Sequence, residues 1–178
     1  MNLNLIKEFA GQYDLDWRIL YAILMTESDG DGFKDGHITK CFEPLIFEGF
    51  KKVIEKKAER HNLLPGLDPL WIRKHTLSEC HLMSNSFGIA QIMGYYYPNL
   101  VYKTITDMID EWKAHEDLQL RAFFRFCLWY RSGKFLAELE AINFKQIAKM
   151  YNGAGYAKNK YDQKLIHHFN KAPKTSND

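Results

Sequence analysis

DWRILYAILMTES, residues 16–28, has the apolar spacing of an amphipathic helix, and the rest of the chain repeats that pattern. Positions i, i+3, i+4 and i+7 fall on one face, and here they are Leu20, Ile23, Leu24 and Glu27. Either Asp14 or Asp16 can cap the N-terminus, and the glycines at 30 and 32 end the helix. The apolar stripe therefore closes on a carboxyl group, at Glu27.

A second helix is predicted to begin at Pro44, because proline suits the first helical position and restricts the residue before it. Glu43 is then the boundary residue, and it lies on the same side as the apolar positions 47, 50 and 54. Glu48 falls on the opposite side and is expected to be solvated. Further helices are predicted within 105–130, 135–141, 143–153 and 159–169.

Outside the predicted helices, the sequence indicates few β-strands. NLLPGLDPLW, residues 62–71, is rich in turn formers and is predicted to be a loop. Extended structure is expected only near HITKCF, residues 37–42. We therefore predict a mainly α fold in a single domain, residues 1–170, with at most a small β-hairpin, followed by a flexible tail, residues 171–178.

Composition excludes several classes of function. A formal net charge of +2 over 178 residues is too small to indicate a nucleic-acid partner. The three cysteines, Cys41, Cys80 and Cys127, are odd in number and far apart, so neither a disulfide framework nor a CxxC zinc site is predicted. The N-terminus lacks a secretory signal pattern, and no apolar run is long enough for membrane insertion. Synthesis in a reducing cytoplasm is the expectation.

Two carboxyl groups lie in contrasting settings. Glu27 is predicted to have a raised pKa, because burial and the negative end of its helix dipole both disfavour the charged form. Glu43, at a helix start, is expected to stay ionised. A neutral acid beside an ionised one fits glycoside hydrolysis, with a general acid and a base or stabiliser. Structural roles, with Glu27 at a helix end and Glu43 as a cap or lysine partner, stay open at this point.

Three further stretches have weaker signals. Glu116 interrupts an apolar stripe and is predicted to form structural hydrogen bonds. SNSFGIAQIMG, residues 84–94, is small and apolar enough to let the backbone approach an extended ligand. Tyr151 ends a helix on its apolar face, where a tyrosine is more often a core residue than a ligand contact.

Motifs for other chemistries fail. The acidic run from Asp29 has Phe33, Lys34 and Lys40 where a calcium loop needs a ligand, a glycine and a glutamate. His115 and Glu116 begin like a zincin helix, but the partner position holds Gln119. Phosphate-binding, dinucleotide-binding and GxSxG motifs do not occur. We expect no metal and no organic cofactor.

Four motifs taken in order resemble the N-acetylmuramidase family of phage endolysins and bacterial cell-wall hydrolases, within the lysozyme-like superfamily of goose-type lysozymes and lytic transglycosylases. They are ESDGDGF (27–33), FEPLIF (42–47), SFGIAQIMG (86–94) and YNGAGYAKNKYD (151–162). The resemblance covers about residues 5 to 170. It implies a lysozyme-like fold with Glu27 as the catalytic acid and Glu43 as the second acidic residue. It also implies that the cleft is lined by Ser86, Gln91, Tyr151 and Asn152.

The resemblance implies cleavage of the β-1,4 bond between N-acetylmuramic acid and N-acetylglucosamine in peptidoglycan glycan strands, by a monomer. A lytic transglycosylase, which leaves 1,6-anhydromuramic acid, is the alternative, and a non-catalytic peptidoglycan-binding module is a third. The chain departs from these patterns at three positions. Leu45 stands where the family motif usually has a histidine, and Phe87 stands where it often has a tryptophan. Met93 stands where goose-type lysozymes have an acid in the cleft. Without a signal peptide, release by a holin, a virion or a secretion system is expected.

Overall fold

Helices dominate the described residues, 1–174 of the computed structural model, and confirm the predicted mainly α class. Their bounds are α1 Leu3–Gln12, α2 Trp17–Ser28, α3 Pro44–Ile54, α4 Pro69–Ile72, α5 Leu77–Met83, α6 Ile105–Ala114, α7 Glu116–Trp129, α8 Lys134–Glu140, α9 Phe144–Asn152 and α10 Tyr161–Asn170. Short 3-10 turns at Gly94–Tyr96 and Gly153–Tyr156 precede longer connections or helices.

Two small antiparallel sheets accompany the helices. β1 (Phe33–Lys34) and β2 (His37–Ile38) form the predicted hairpin. β3 (Lys40–Phe42), β4 (Asn85–Phe87) and β5 (Ile92–Met93) form a three-stranded sheet in that order. The extended segment expected near 37–42 is confirmed, whereas β4 and β5 were not predicted.

The helix of the opening stretch, α2, lies at the centre of the fold. Its N-cap is Asp16, whose side chain accepts a hydrogen bond from the Arg18 N–H at 3.0 Å, so Asp14 is not the cap. Leu20, Ile23 and Leu24 are fully buried, as their spacing predicts. The helix packs against α1 and along α10. Asp29, with φ 55°, ends it in the left-handed region and directs the chain towards the hairpin.

The helix predicted from Pro44 is confirmed as α3, and Glu48 is exposed on it as expected. The helical segment predicted within 105–130 is divided in two at His115, whose backbone is extended. The His115 Nδ1 accepts a hydrogen bond from the Asp117 N–H at 3.2 Å. The residue therefore acts as the N-cap of α7, which periodicity alone does not reveal.

Three helices were not among the predicted elements. The segment 62–71 was predicted to be a loop, but Pro69 begins the short helix α4 within it. α5 begins with a capping box in which Thr76 and Glu79 bond each other's backbone N–H groups. That T-x-x-E spacing was a readable signal. α1 is capped by Asn2, which accepts from the Leu5 N–H.

All three cysteines are free thiols in the described part of the chain. Between residues 1 and 174, no helix combines the length and the apolar character needed to cross a membrane. Of the tail predicted at 171–178, residues 175–178 lie outside the described part, so the tail stays a prediction.

Candidate active site

One recess, with a volume of about 520 Å³, brings together all six residues singled out in the sequence. They come from four separate segments of the chain: Glu27, Glu43, Ser86, Gln91, Tyr151 and Asn152. The lining also includes four residues that the sequence did not single out as site residues: Cys41, Ile46, Met93 and Tyr95. A larger depression near the start of α2 is lined by Asp16, which is already bonded to Arg18, and contains none of the six.

Glu27 is the acid that α2 presents to the recess. Burial raises the pKa of this carboxyl group to about 7, while a hydrogen bond from Tyr161 and the charge of Lys164 act in the opposite direction. The raised pKa predicted from the sequence is therefore confirmed, with burial as its largest cause. A carboxyl group with this pKa is partly protonated near neutral pH and can donate a proton.

The residue that sequence reasoning missed beside Glu27 is Tyr161, at the first position of α10. Its hydroxyl donates a hydrogen bond to Oε1 of Glu27. Burial raises the pKa of the Tyr161 hydroxyl well above its ordinary value, so the group remains a donor. Tyr161 and Leu165 are buried four residues apart, which marks a core-facing side of α10. Their spacing could not show which helix they meet.

Glu43 lies between β3 and α3 and also lines the recess. Its backbone N–H donates to the Ser84 carbonyl at 2.9 Å, which fixes the start of the helix. The side chain is exposed and makes no capping hydrogen bond. Among residues 1–174 it also makes no ion pair, so the structural roles considered for Glu43 are not observed. Its carboxyl group is available to a ligand.

The three-stranded sheet forms one wall of the recess through a single row of side chains. Cys41 pairs with Ser86 across β3 and β4, and Ser86 pairs with Met93 across β4 and β5. Residues paired in this way point to the same face of a sheet. Phe87, the next residue on β4, points to the other face and is 2 % exposed. The family often has a tryptophan at the position of Phe87. This difference therefore lies in the core behind the sheet, and not in the lining of the recess.

A tight turn at residues 88–91 carries the remaining polar groups of the wall. Gly88 and Gln91 both have positive φ, 72° and 46°, and the Gln91 N–H donates to the Gly88 carbonyl at 3.2 Å. The Ser86 hydroxyl donates to Oε1 of Gln91 at 2.8 Å, and Nε2 of Gln91 donates to the Gly88 carbonyl at 2.8 Å. Ser86 and Gln91 thus hold each other in place while lining the recess.

Three other elements hold the turn at residues 88–91 in position. From α2, the Ser28 hydroxyl donates to the Ile89 carbonyl at 2.7 Å. From α7, Oε1 of Gln119 accepts from the Ile89 N–H at 2.8 Å. From α9, the Tyr151 hydroxyl donates to the Ala90 carbonyl at 2.6 Å. The wall of the recess is therefore tied directly to the helix that carries Glu27.

Tyr151 and Asn152 complete the lining at the end of α9. The Tyr151 ring is stacked with Tyr161 at 6.3 Å between centroids, and burial raises the pKa of the Tyr151 hydroxyl well above its ordinary value. Oδ1 of Asn152 accepts a hydrogen bond from Nδ2 of Asn159 at 3.1 Å. Tyr151 thus combines the core and the lining positions that the sequence left open.

Gln119, which occupies the position where a zincin helix has its second histidine, has a structural role. Its side chain is 1 % exposed, and Nε2 donates to the Trp112 carbonyl at 3.0 Å while Oε1 accepts from Ile89. A Cβ atom on either Gly32 or Gly88 would lie within 2.5 Å of this amide, so both glycines make room for it. Glu116 accepts from the Gly32 N–H at 3.2 Å, which confirms its structural role.

Metal chemistry has no candidate site in the described residues, because no cluster of three His, Cys, Asp or Glu side chains occurs between positions 1 and 174. The recess presents two carboxyl groups, the side-chain amides of Gln91 and Asn152, and aromatic rings. This set suits the recognition of a neutral polar ligand and proton transfer to it.

Comparisons with known proteins give a family match and a similar solved structure. A model of the N-acetylmuramidase family matches residues 70–173. The structure is similar to the crystal structure of a Burkholderia AP3 phage endolysin, with a TM-score of 0.71 and 27 % sequence identity, over 96 % of this chain and 70 % of that one. No curated protein sequence matches the chain.

Proposed function

Because this chain belongs to the N-acetylmuramidase family, we propose that it cleaves the β-1,4 bond between N-acetylmuramic acid and N-acetylglucosamine, with Glu27 as the general acid. Family membership and the likeness to an endolysin make it a peptidoglycan hydrolase of the lysozyme type, with a mainly α, lysozyme-like fold. The observation that carries the proposal is a carboxyl group with a pKa of about 7 in a recess shared with a second acid.

Glu27 would supply the proton that the leaving group needs. In its neutral form it donates this proton to the glycosidic oxygen as the bond from C1 to that oxygen breaks. The bonding electron pair stays with the oxygen, and an oxocarbenium-like charge develops at C1. Tyr161 fixes the orientation of the acid by bonding Oε1, which leaves Oε2 for the substrate.

Glu43 is proposed to act as the base or as the stabiliser of the charge at C1. In its ionised form the exposed carboxyl group can orient a water for attack on C1 and accept its proton, or stabilise the developing positive charge. The absence of a capping bond in α3 supports this, because the side chain is not committed to the helix. Neither role calls for a metal or an organic cofactor.

The remaining four residues are proposed to position the glycan strand. Ser86 and Gln91 present a braced hydroxyl and amide on the sheet side, and Tyr151 and Asn152 present a ring and an amide from α9. Sugar hydroxyl and N-acetyl groups bind to groups of this kind. The partner is thus a peptidoglycan strand, and one copy of the chain supplies every residue of the recess.

Clearing of a peptidoglycan suspension tests the assignment of Glu27. We expect Glu27→Gln to remove clearing, because the amide keeps the shape and cannot donate the proton. Glu48→Gln is the matched control, since Glu48 is an exposed glutamate on α3 outside the recess. Clearing by Glu27→Gln protein at the wild-type rate would contradict the proposal.

Mass spectrometry of the released fragments tests the type of reaction. Hydrolysis gives a reducing-end muramic acid, whereas a lytic transglycosylase gives a 1,6-anhydro product. The transglycosylase route needs no positioned water, so activity retained by Glu43→Gln would favour that route. Binding to peptidoglycan with no release of sugar would indicate a non-catalytic module.

The likeness to a phage endolysin supports a role in lysis of the bacterial cell wall. An enzyme with this role is made in the cytoplasm and meets its substrate only after release. A holin, a virion or a secretion system could each provide that release.

A further inference from the structure

A second groove adjoins the recess and is not used by the proposed reaction. Its volume is about 340 Å³, and Tyr95 lines both spaces, so the two are neighbours. The loop at residues 63–67 forms part of its lining, and Tyr130 and Arg131, just after α7, form another part. We call this space the side groove.

The loop of the side groove is held in place by a buried histidine. Nδ1 of His61 accepts hydrogen bonds from the Leu63 and Leu64 N–H groups at 3.2 Å each. The hydrogen is then on Nε2, which donates to the Ile46 carbonyl at 2.9 Å. Ile46 lines the recess itself. The side groove is therefore preformed and tied to the cleft by the backbone of α3.

The chemistry of the side groove differs from that of the recess. Its lining has three leucines, at 63, 64 and 67, and offers few polar groups apart from tyrosine hydroxyls. Its one full charge is Arg131, whose guanidinium lies over the Tyr130 ring at 5.3 Å and makes no ion pair among residues 1–174. The three tyrosine rings in the lining can contact either a sugar or a peptide, but a neutral sugar gives Arg131 no counter-charge. A short anionic chain with apolar side groups matches both the leucines and Arg131.

We propose that the side groove binds the stem peptide of the peptidoglycan strand, with Arg131 as the partner of a peptide carboxylate. This inference rests on the proposed function, because the peptide begins at the lactyl group of the muramic acid that the recess would hold. Its alanine methyl groups would contact the leucines, and its free carboxylates would meet Arg131. Bidentate pairing with carboxylates is the geometry that arginine favours.

Two soluble tetrasaccharides test the proposal, one with its stem peptides and one from which an amidase has removed them. We expect kcat/KM to be higher for the substrate with peptides, and Arg131→Gln to lower that value about fivefold. Leu63→Ser, in the groove, should act in the same direction. Cleavage of the peptide-free substrate should be unchanged in both variants.

Matched controls separate the side groove from general surface effects. Arg121→Gln removes an exposed arginine on α7, outside the groove, and Leu70→Ser removes a leucine that is 64 % exposed and also outside the groove. Both should keep the wild-type preference for the substrate with peptides. Thermal unfolding shows whether each variant is folded.

The remaining outcomes overturn the inference in distinct ways. Equal kcat/KM for both substrates in the wild-type enzyme would overturn it and leave the muramidase proposal intact. An equal loss on both substrates in Arg131→Gln would show that the groove binds sugar. Cleavage of neither substrate, with no clearing of intact peptidoglycan, would overturn the proposed function and this inference with it.

Discussion

The Tyr161 hydroxyl donates a hydrogen bond to Oε1 of Glu27, and this contact joins the first turn of α10 to the last turn of α2. The bond favours the charged form of the acid and so opposes the effect of burial on its pKa. The geometry of the acid and its titration therefore depend on a residue 134 positions away in sequence.

The first prediction concerns Tyr161→Phe. Loss of the hydrogen bond should raise the pKa of Glu27 above about 7, so the acid form should persist to higher pH. The alkaline limb of the pH profile of kcat/KM should move upward, while kcat at its optimum should fall because the acid is less well oriented. Tyr13→Phe, after α1, is the control. An unshifted alkaline limb would show that the bond does not tune the acid.

A second prediction links Glu27 to stability. The pKa of Glu27 is raised from 4.5 to about 7 in the folded state. The contribution of this group to the free energy of unfolding is therefore fully present below pH 4.5 and is lost as pH rises through about 7. Glu27→Gln removes this loss and should stabilise the protein at pH 8 by about 3 kcal/mol, with little effect at pH 4. Urea unfolding at the two pH values measures the difference. An equal effect at both would count against a desolvated acid.

Cys41 gives a third prediction, because it is exposed and lines the recess while the other two cysteines are buried. Burial raises the pKa of Cys80 to about 12 and that of Cys127 well above its usual value. N-ethylmaleimide should therefore label Cys41 selectively and block the cleft.

Peptide mapping locates the label, and the clearing assay measures the loss of activity. Cys41→Ser is the control, since it should remain active and resist the reagent. Full activity of protein labelled at Cys41 would show that the glycan does not occupy this part of the recess.

Gln119→Leu is the fourth prediction. It would leave the Ile89 N–H and the Trp112 carbonyl buried without partners, at a cost of roughly 2–4 kcal/mol in unfolding free energy. Activity should also fall, because the turn at residues 88–91 loses one of its supports. Gln146→Leu, at an exposed amide on α9, should change stability little. Similar unfolding free energies for the two variants would contradict this account.

Sequence reasoning succeeded where the signal is local. The helix period placed Glu27 at the end of an apolar stripe, and Pro44 placed Glu43 at a helix start; both follow from a few neighbouring residues. The ordered motifs then selected the other lining residues, which the structure brings together in one recess. Tyr161 was missed because its role depends on which helix α10 meets.

The short strands were missed for a related reason. Asn85, Ser86 and Phe87 are all buried, so β4 shows no alternation between apolar and polar residues. The strand exists because its backbone pairs with β3, more than forty positions earlier in the chain. A pairing partner at that distance leaves no mark on the local pattern. The row of Cys41, Ser86 and Met93 could therefore be recognised only in three dimensions.

The fifth prediction separates steric clash from backbone strain at two glycines. Gly88 has φ +72°, and a Cβ atom there would lie 2.5 Å from Oε1 of Gln119. Gly36, in the turn between β1 and β2, has φ +76° but nothing within 4 Å of such an atom. Gly36→Ala should therefore cost only the strain of a positive φ, about 1 kcal/mol. Gly88→Ala adds displacement of a buried amide and should cost at least about 2 kcal/mol more.

Chemical unfolding of both variants measures the difference, and the clearing assay shows its effect on the site. Gly88→Ala should lose activity together with stability, because moving Gln119 releases the Ile89 N–H and shifts the turn that carries Gln91. Gly36→Ala should keep its activity, since its turn lies outside the recess. Equal unfolding costs in the two variants would mean that the Gln119 amide moves aside freely. The turn at residues 88–91 would then be held by Ser28, by Tyr151 and by the Gly88 N–H, which donates to the Thr39 carbonyl at 2.7 Å.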